Sequence, residues 1–433
     1  MNFKLYVSES FKYLLRSYPL IRSRVKHVER LYAMTATQRM EYENAQFIKI
    51  FDRAIHKSPF YKELYGRYGI SADDIKSIGD IAKLPVIDKS MIRHCSSDLL
   101  TRSRWFVKAS HTSGTTGEPL VTFDDWNMIW SEQAYHYCFY KRCGYIPGRD
   151  RAVSLRGHLG HNDIELNLHI AKTLLMSSYN IRQATVARYY ESIVRYRPKV
   201  ILGYPSSLYN LALLFEENGM SLSIPLCITS SETLYDYQRK TIESVLGCRI
   251  FDLYGNTEHA GLLYEAESHN GYFAAPGYAH IEIDGDSIIA TPLVNASFPL
   301  IRYRMNDAFD RDDDMGGYSW NQPVIASRIV GKTAQCIVCY DSTRISRLGF
   351  LFKHAVHIKM AQIVQYEIGR IEINIVPDDG FGREDTESIG LSIAERLGAG
   401  NIDYKINIID RDGIIYSSRN KFSQIISYLY QLC

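Results

Sequence analysis

His111-Thr-Ser-Gly-Thr-Thr-Gly-Glu-Pro-Leu120 is the stretch on which the reading of this chain turns. Between Thr112 and Gly117 it sets serine and threonine hydroxyls around two glycines, Gly114 and Gly117. Glycine lets the backbone take positive φ, so that successive N–H groups turn inward and make a cradle for an anion. Pro119 keeps the segment from continuing as regular structure. It is not a Walker loop, because Gly-Lys-Ser/Thr is missing and Glu118 follows the second glycine. Alone, such a run is an ordinary solvated turn. The motifs spaced around it give it meaning.

The chain has 433 residues, enough for two or three domains with a large core. Hydrophobic residues make up 46% and charged residues 23%, which excludes a disordered or fibrous chain. A formal net charge of +2 argues against a nucleic-acid partner. No apolar run is long enough to span a bilayer and no signal-peptide pattern opens the sequence. The eight cysteines are scattered, as expected of reduced thiols in a cytoplasmic protein. Cys336-Ile-Val-Cys339 reads as a strand rather than a redox or metal pair.

Residues 1–32 carry Lys4, Lys12, Arg16, Arg22, Arg24, Lys26 and Arg30 against Glu9 and Glu29, interleaved with apolar side chains. This predicts a helical surface segment interrupted near Pro19, with a weak peripheral contact to an anionic membrane as the second use of the same pattern. Residues 41–57 read as a helix. From Arg104 to Ile250, β-branched runs alternate with helical ones: Arg151–Leu155 then a helix over Leu166–Leu175, Val200–Leu202 then Ser206–Asn218, and Leu226–Thr229 then Tyr235–Leu246 before Arg249–Leu253. That alternation predicts βαβ units and a mainly parallel sheet. A hairpin is expected around Asp284-Gly285. An α+β pattern starts beyond Lys332.

In this order the punctuation resembles the phenylacetate–CoA ligase-like branch of the adenylate-forming enzymes, and more narrowly its CapK-like members. Ser58-Pro-Phe-Tyr61 and Leu84-Pro-Val-Ile-Asp-Lys89 match that family's lead-in, and Thr112 to Pro119 its phosphate loop. Gly203–Leu208, Thr229–Leu234 and Tyr254-Gly-Asn-Thr-Glu258 match its core motifs, and Arg328-Ile-Val-Gly-Lys332 the entry to its C-terminal domain. The resemblance implies an α/β fold with a large N-terminal adenylate-forming domain (1–328) and a small mobile α+β lid (329–433).

It also implies the chemistry. A carboxylic acid is activated with ATP as an acyl-adenylate and then transferred to coenzyme A or to an amine on a sugar or amino acid. Such a step needs charge stabilisation at the phosphates more than covalent help. Ser113, Gly114, Thr115, Thr116 and Gly117 are expected to hold phosphates. Ser231, Glu232, Tyr254, Gly255, Asn256, Asp307 and Arg328 are expected at the nucleotide, with Glu258 as the Mg²⁺ ligand. Catalytic roles fall to Lys421 and Thr257, and His158 is expected to face the acid. A hard cation takes oxygen ligands, which suits Glu258.

The sequence departs from the family at two points. The usual Thr-Gly-Asp reads Met305-Asn306-Asp307, and the usual Gly-Arg-x-Asp-Asp hinge reads Gly331-Lys-Thr-Ala-Gln335. Lysine keeps the charge but not the fork of arginine. The Cys-x-Cys zinc ligands of many relatives are missing from 310–327, so no structural zinc is expected. The different-class alternative is a non-catalytic nucleotide-binding scaffold in a glycan-biosynthesis complex. Oligomeric state and the identity of the acid are not legible.

Overall fold

The structure is a computed structural model that describes residues 3–111, 120–157, 159, 163–311, 317–332, 336–345, 349–352, 355, 357–398, 400–417 and 421–429. The chain divides into two compact units. One holds the described residues up to 305 and 309–329; the other holds 306–308 and those from 330 onward.

The first unit opens with helices α1 (Phe3–Leu15) and α2 (Tyr18–Ala33), with Pro19 in the first turn of α2, where its missing N–H costs nothing. Helix α3 (Ala36–Lys57) begins at a capping box: the Gln38 amide donates to Thr35 Oγ1 (3.3 Å) and the Thr35 amide to Gln38 Oε1 (3.0 Å). Ser58 ends α3 and caps α4 (Pro59–Arg67), so Ser58-Pro59 joins two helices rather than ending helical structure. Tyr61 is buried; its hydroxyl donates to the Pro299 carbonyl (3.1 Å) and accepts from the Ile301 amide (2.8 Å). Asp88 caps the short helix α5 (Lys89–Ile92) through the Ser90 and Met91 amides. The Ile87 backbone bridges to Arg302 and Arg304, which fixes where Lys89 starts.

Strands β1 (Lys108–His111) and β2 (Val121–Asp124) form an antiparallel pair in which His111 faces Val121. Helix α6 (Trp126–Arg142) follows, then β3 (Ala152–Leu155), β4 (Glu165–Leu168), β5 (Thr173–Met176), α7 (Val186–Tyr196), β6 (Val200–Gly203), α8 (Pro205–Glu217), β7 (Leu226–Ser230), α9 (Asp236–Leu246) and β8 (Arg249–Gly255). The strands β9 (Leu262–Glu265), β10 (Tyr272–Ala274), β11 (Ala279–Asp284), β12 (Ser287–Pro292), β13 (Tyr303–Asp310), β14 (Tyr318–Ser319) and β15 (Gln322–Ala326) complete the unit. The main sheet has the order β14-β15-β10-β9-β8-β7-β6-β3-β5-β4. Its middle, β5-β3-β6-β7-β8, is parallel and the flanks are antiparallel.

The expected helix over Leu166–Leu175 is instead the hairpin β4–β5. Burial alternates there, with Leu166, Leu168, Leu174 and Met176 inside, a period of two that a helix does not satisfy. Lys172 turns the hairpin at φ 48°. The hairpin expected at Asp284-Gly285 forms, with Asp284 opposite Ser287 and Gly285 at φ 60°.

Strand β16 (Arg328–Lys332) carries the chain into the second unit, where β17 (Ile337–Val338) pairs with β18 (Arg344–Ile345). Strands β19 (Ile358–Glu367), β20 (Arg370–Pro377), β21 (Asp403–Ile408) and β22 (Ile425–Ser427) make a sheet in the order β21-β20-β19-β22. Helix α10 (Arg383–Leu397) supplies Ile389 and Ile393 to a core with Ile363, Ile371, Ile373 and Ile375. Cys339 is a free thiol, whereas Cys336 is disulfide-bonded, a departure from reduced thiols throughout. Among the described residues no helix is long and apolar enough to cross a membrane.

Candidate active site

Because β3, β6, β7 and β8 are parallel neighbours, their carboxyl ends open side by side, the edge where open α/β sheets take ligands. Three of these ends are tied together. Beyond β3, Arg156 Nη2 donates to Ser230 Oγ at the end of β7 (2.9 Å), and its guanidinium lies 5.6 Å from the centre of the Tyr204 ring beyond β6. Ser231 then turns the chain at φ 72°, a left-handed conformation that side chains other than glycine rarely adopt. Glu232 Oε2 accepts from the Ser206 amide (3.0 Å) in the first turn of α8, where the helix dipole favours a carboxylate.

At the end of β8, Tyr254 is buried, its ring packed edge-on against Phe309 (5.3 Å, 80°). The next turn is built by Asn256, whose carbonyl accepts from the His259 amide (3.1 Å) and whose Oδ1 accepts from the Ala260 amide (2.9 Å). The Thr257 carbonyl accepts from Thr122 Oγ1 (3.2 Å). Thr122 lies on β2, the strand that leaves the glycine-rich loop, so the loop's exit and the Tyr254–Glu258 signature are neighbours. Glu258 Oε1 lies 3.6 Å from Lys89 Nζ, with both side chains largely shielded.

Behind this turn is a buried charge cluster. His259, at φ 53°, places Nδ1 2.7 Å from Glu132 Oε1 on α6 and Nε2 3.5 Å from Asp124 Oδ2 on β2. Ser110 Oγ donates to Asp124 Oδ2 (3.1 Å) and Tyr278 Oη to Glu132 Oε1 (3.2 Å). Burial alone would discharge His259, but Glu132 and Asp124 override it and hold the imidazolium well above its ordinary range. Burial likewise works to raise Glu132, yet the charge and hydrogen bond of His259 bring it down to about 2. The cluster joins α6, β2 and the β8 turn through one cation.

A second buried network underlies the edge. Asp252 on β8 accepts from Thr229 Oγ1 (2.5 Å) and Tyr272 Oη (2.9 Å), while the Asp252 amide donates to Glu265 Oε2 (2.8 Å) and Arg239 pairs with Glu265 Oε1 (2.5 Å). Burial, reinforced by Glu265, pushes the Asp252 carboxyl up to about 7.

The expected site residues fall in three places. Ser231, Glu232, Tyr254, Gly255, Asn256, Thr257 and Glu258 all lie along the strand ends of the first unit. Arg328 is exposed there and pairs with Asp236 (3.4 Å). Asp307 on β13 and Lys421 belong to the second unit. The Lys421 amide donates to Ser417 Oγ (3.1 Å) and its carbonyl accepts from the Ser417 amide (3.0 Å), while Tyr416 bridges to Phe422. Ser113 to Gly117, His158, His161 and the hinge residues Thr333 to Gln335 lie outside the described residues. The sequence did not single out Arg156, Asp124, Glu132 or Tyr278. Each is far in sequence from its partner, and only the sheet order brings them together.

In sequence and in fold the chain is similar to adenylate-forming, acyl-activating proteins, among them CapK and the phenylacetate–CoA ligases. It is similar to the protein CapK of Staphylococcus aureus, 24% identical over 309 residues that cover 67% of each chain. Indoleacetate–lysine synthetase of Pseudomonas savastanoi is 26% identical over 240 residues, 52% of this chain and 58% of that protein. Phenylacetate–coenzyme A ligase of Pseudomonas putida is 26% identical over 276 residues, 58% of this chain and 61% of that protein. The chain thus spans roughly three fifths to two thirds of these relatives' lengths. Crystallised 2-hydroxyisobutyryl-CoA ligase in its postadenylation state shares the fold, with a TM-score of 0.68 at 14% identity over 93% of each chain. No family model matches the sequence.

Proposed function

We propose that the protein uses ATP and Mg²⁺ to activate a carboxylic acid as its adenylate, and then passes the acyl group to coenzyme A or to an amine on a sugar or amino acid. The observation that carries this reading is the Thr122–Thr257 contact (3.2 Å), which sets the exit of the glycine-rich loop against the Thr257-Glu258 turn. Phosphates held by Ser113 to Gly117 would then lie beside a carboxylate suited to a hard cation. The fit is chemical: Glu258 offers oxygen ligation, and Lys89, 3.6 Å away, adds a positive charge next to the phosphates.

In this reading Tyr254 and the Ser231–Glu232 turn bound the nucleotide side, and Arg156 and His158 the acid side. Asp307 and Arg328 hold the ribose. Lys421 enters from the second unit, acting as a lid, and neutralises charge that develops between the carboxylate and the α-phosphate. That benefit is realised mainly in the transition state. The similarity to CapK supports a place in capsule or O-antigen polysaccharide synthesis. In this reading the protein works in the cytoplasm. The altered hinge at Lys332 to Gln335 makes an amine acceptor as acceptable as coenzyme A. ATP–pyrophosphate exchange with a panel of carboxylic acids tests the first step: exchange dependent on one acid is expected. ATP binding with no exchange for any acid would leave the scaffold reading in its place.

A further inference from the structure

We propose that the first unit docks on an anionic bilayer through the outer face of α1, the start of α2 and a cationic cleft at the amino ends of the parallel strands. The apolar part is a stripe. Val7, Phe11 and Leu14 recur along α1 at three- and four-residue spacing, Tyr18 and Leu20 follow on α2, and each is between 38% and 60% exposed. The other face of α1 is spent on packing: Leu5, Tyr6 and Tyr13 lie on Leu159, Leu166, Leu168 and Ala171. A helix with one face committed and large apolar side chains left on the other calls for an apolar partner.

Charge selects which partner. Lys4, Lys12, Arg16, Arg22, Lys26 and Arg30 are exposed along the same two helices and the turn between them, against Glu9 and Glu29. Apolar residues set among cations match the boundary between acyl chains and anionic headgroups. The cleft extends this field. It encloses about 510 Å³ and is lined by Arg149, Arg151, Lys172, Arg197 and Lys199, with Asp150 as the acid among them. Asp150 is already engaged by Arg149 (3.3 Å) and Lys199 (3.2 Å), so the excess positive charge remains. Helix α1 borders the cleft, because Tyr13 packs directly on Gly148, one residue before Arg149. The cleft precedes β3, β5 and β6, at the opposite ends of the strands from the candidate active site. Docking there would leave the reactive edge open.

The test is co-sedimentation of the full chain with vesicles of phosphatidylcholine alone or with about one third phosphatidylglycerol, at low and high salt. Binding is expected only to the anionic vesicles, and it should weaken steeply as salt rises. Phe11→Glu with Leu14→Glu, and separately Arg149→Glu with Arg151→Glu, should each lower partitioning at least about tenfold, since each surface cation near the headgroups is worth most of a decade. Both pairs are surface changes, so thermal melting should stay that of the parent. Equal partitioning to neutral and anionic vesicles, or binding indifferent to salt, overturns the proposal. So does self-association that the Phe11/Leu14 pair abolishes with no vesicle binding by the parent, which would make a second copy the occupant. Binding of inorganic pyrophosphate in the cleft without vesicle affinity overturns it as well. Acid-dependent exchange should persist in every variant, so failure here is separable from failure of the adenylation reading.

Discussion

Replacing His259 with asparagine should destabilise the first unit by about 3–5 kcal/mol at neutral pH, the cost of removing one partner from a buried charge cluster. Asparagine tolerates the left-handed backbone that His259 holds at φ 53°, so the change removes the imidazolium without new backbone strain. Two carboxylates then share no cation: the Asp124 and Glu132 side chains are 5% and 17% exposed. His259, helped by His136 and Tyr278, holds Glu132 down at about 2 against an ordinary 4.5, although burial works to raise it. The sign follows from linkage. A carboxylate whose folded value is depressed adds stability above its unfolded value and loses it as pH falls towards 2. In the variant that contribution is gone and burial raises Glu132 instead, so the deficit should grow from pH 4–5 to about 6.5; above that the unfolded histidine is neutral, the parent too loses stability as pH rises, and the deficit grows no further. Trp105, Trp126, Trp130 and Trp320 all lie in the first unit, so urea unfolding followed by tryptophan fluorescence reports it. In a His259→Asn/Glu132→Gln double variant the second change should add little. A loss below about 1 kcal/mol at pH 8, or an equal loss at pH 5 and pH 8, would refute the reasoning.

Three further outcomes are expected. Glu258→Gln should slow acid-dependent pyrophosphate exchange and shift its Mg²⁺ requirement upward, with excess Mg²⁺ restoring part of the rate; an unchanged Mg²⁺ titration removes Glu258 from the metal. Lys421→Ala should slow adenylate formation by about 10²-fold while ATP binding measured by calorimetry is kept; a rate within about twofold of the parent makes Lys421 an ordinary surface lysine. Asp252→Asn should flatten the pH dependence of stability. The folded carboxyl titrates near 7 against an ordinary 3.8, so the parent loses stability as pH rises from about 4 to 7, and urea midpoints at pH 5 and 8 should converge in the variant.

What the sequence made legible was what is local. The βαβ alternation from β6 to β8 and the Asp284-Gly285 turn are written within a few residues each, and both appear in the structure. The β4–β5 hairpin was misread because Leu166 to Leu175 is apolar at both helical and strand spacing, and only pairing against β3 decides between them. The site was legible as motifs but not as a network. Thr257 and Glu258 stood out by order and type, while Asp124 and Glu132 looked like any two acids in a chain with 48. Their meaning depends on strand β2 and helix α6 converging on His259, which is a product of topology.

That convergence also bears on the choice between a catalyst and a scaffold. A buried cluster of two carboxylates and one imidazolium is a poor way to stabilise a fold, since well-packed apolar residues of similar volume often do as well or better. What such a cluster supplies is position. His259 fixes at once the strand leaving the glycine-rich loop, the helix behind it and the turn that carries Glu258. A scaffold that only retained the fold would gain nothing from holding Thr257 and Glu258 so firmly. Adenylation would, because charge developing on transferring phosphates is stabilised by groups already in place rather than by groups that reorganise during the step. The same logic accounts for Lys89. Its helix is a single turn anchored by the buried Ile92, and a cap at Asp88 and a backbone bridge from Ile87 set its ammonium beside Glu258. Two independent devices thus fix the surroundings of one carboxylate, and that economy is intelligible if the carboxylate meets phosphate and metal there.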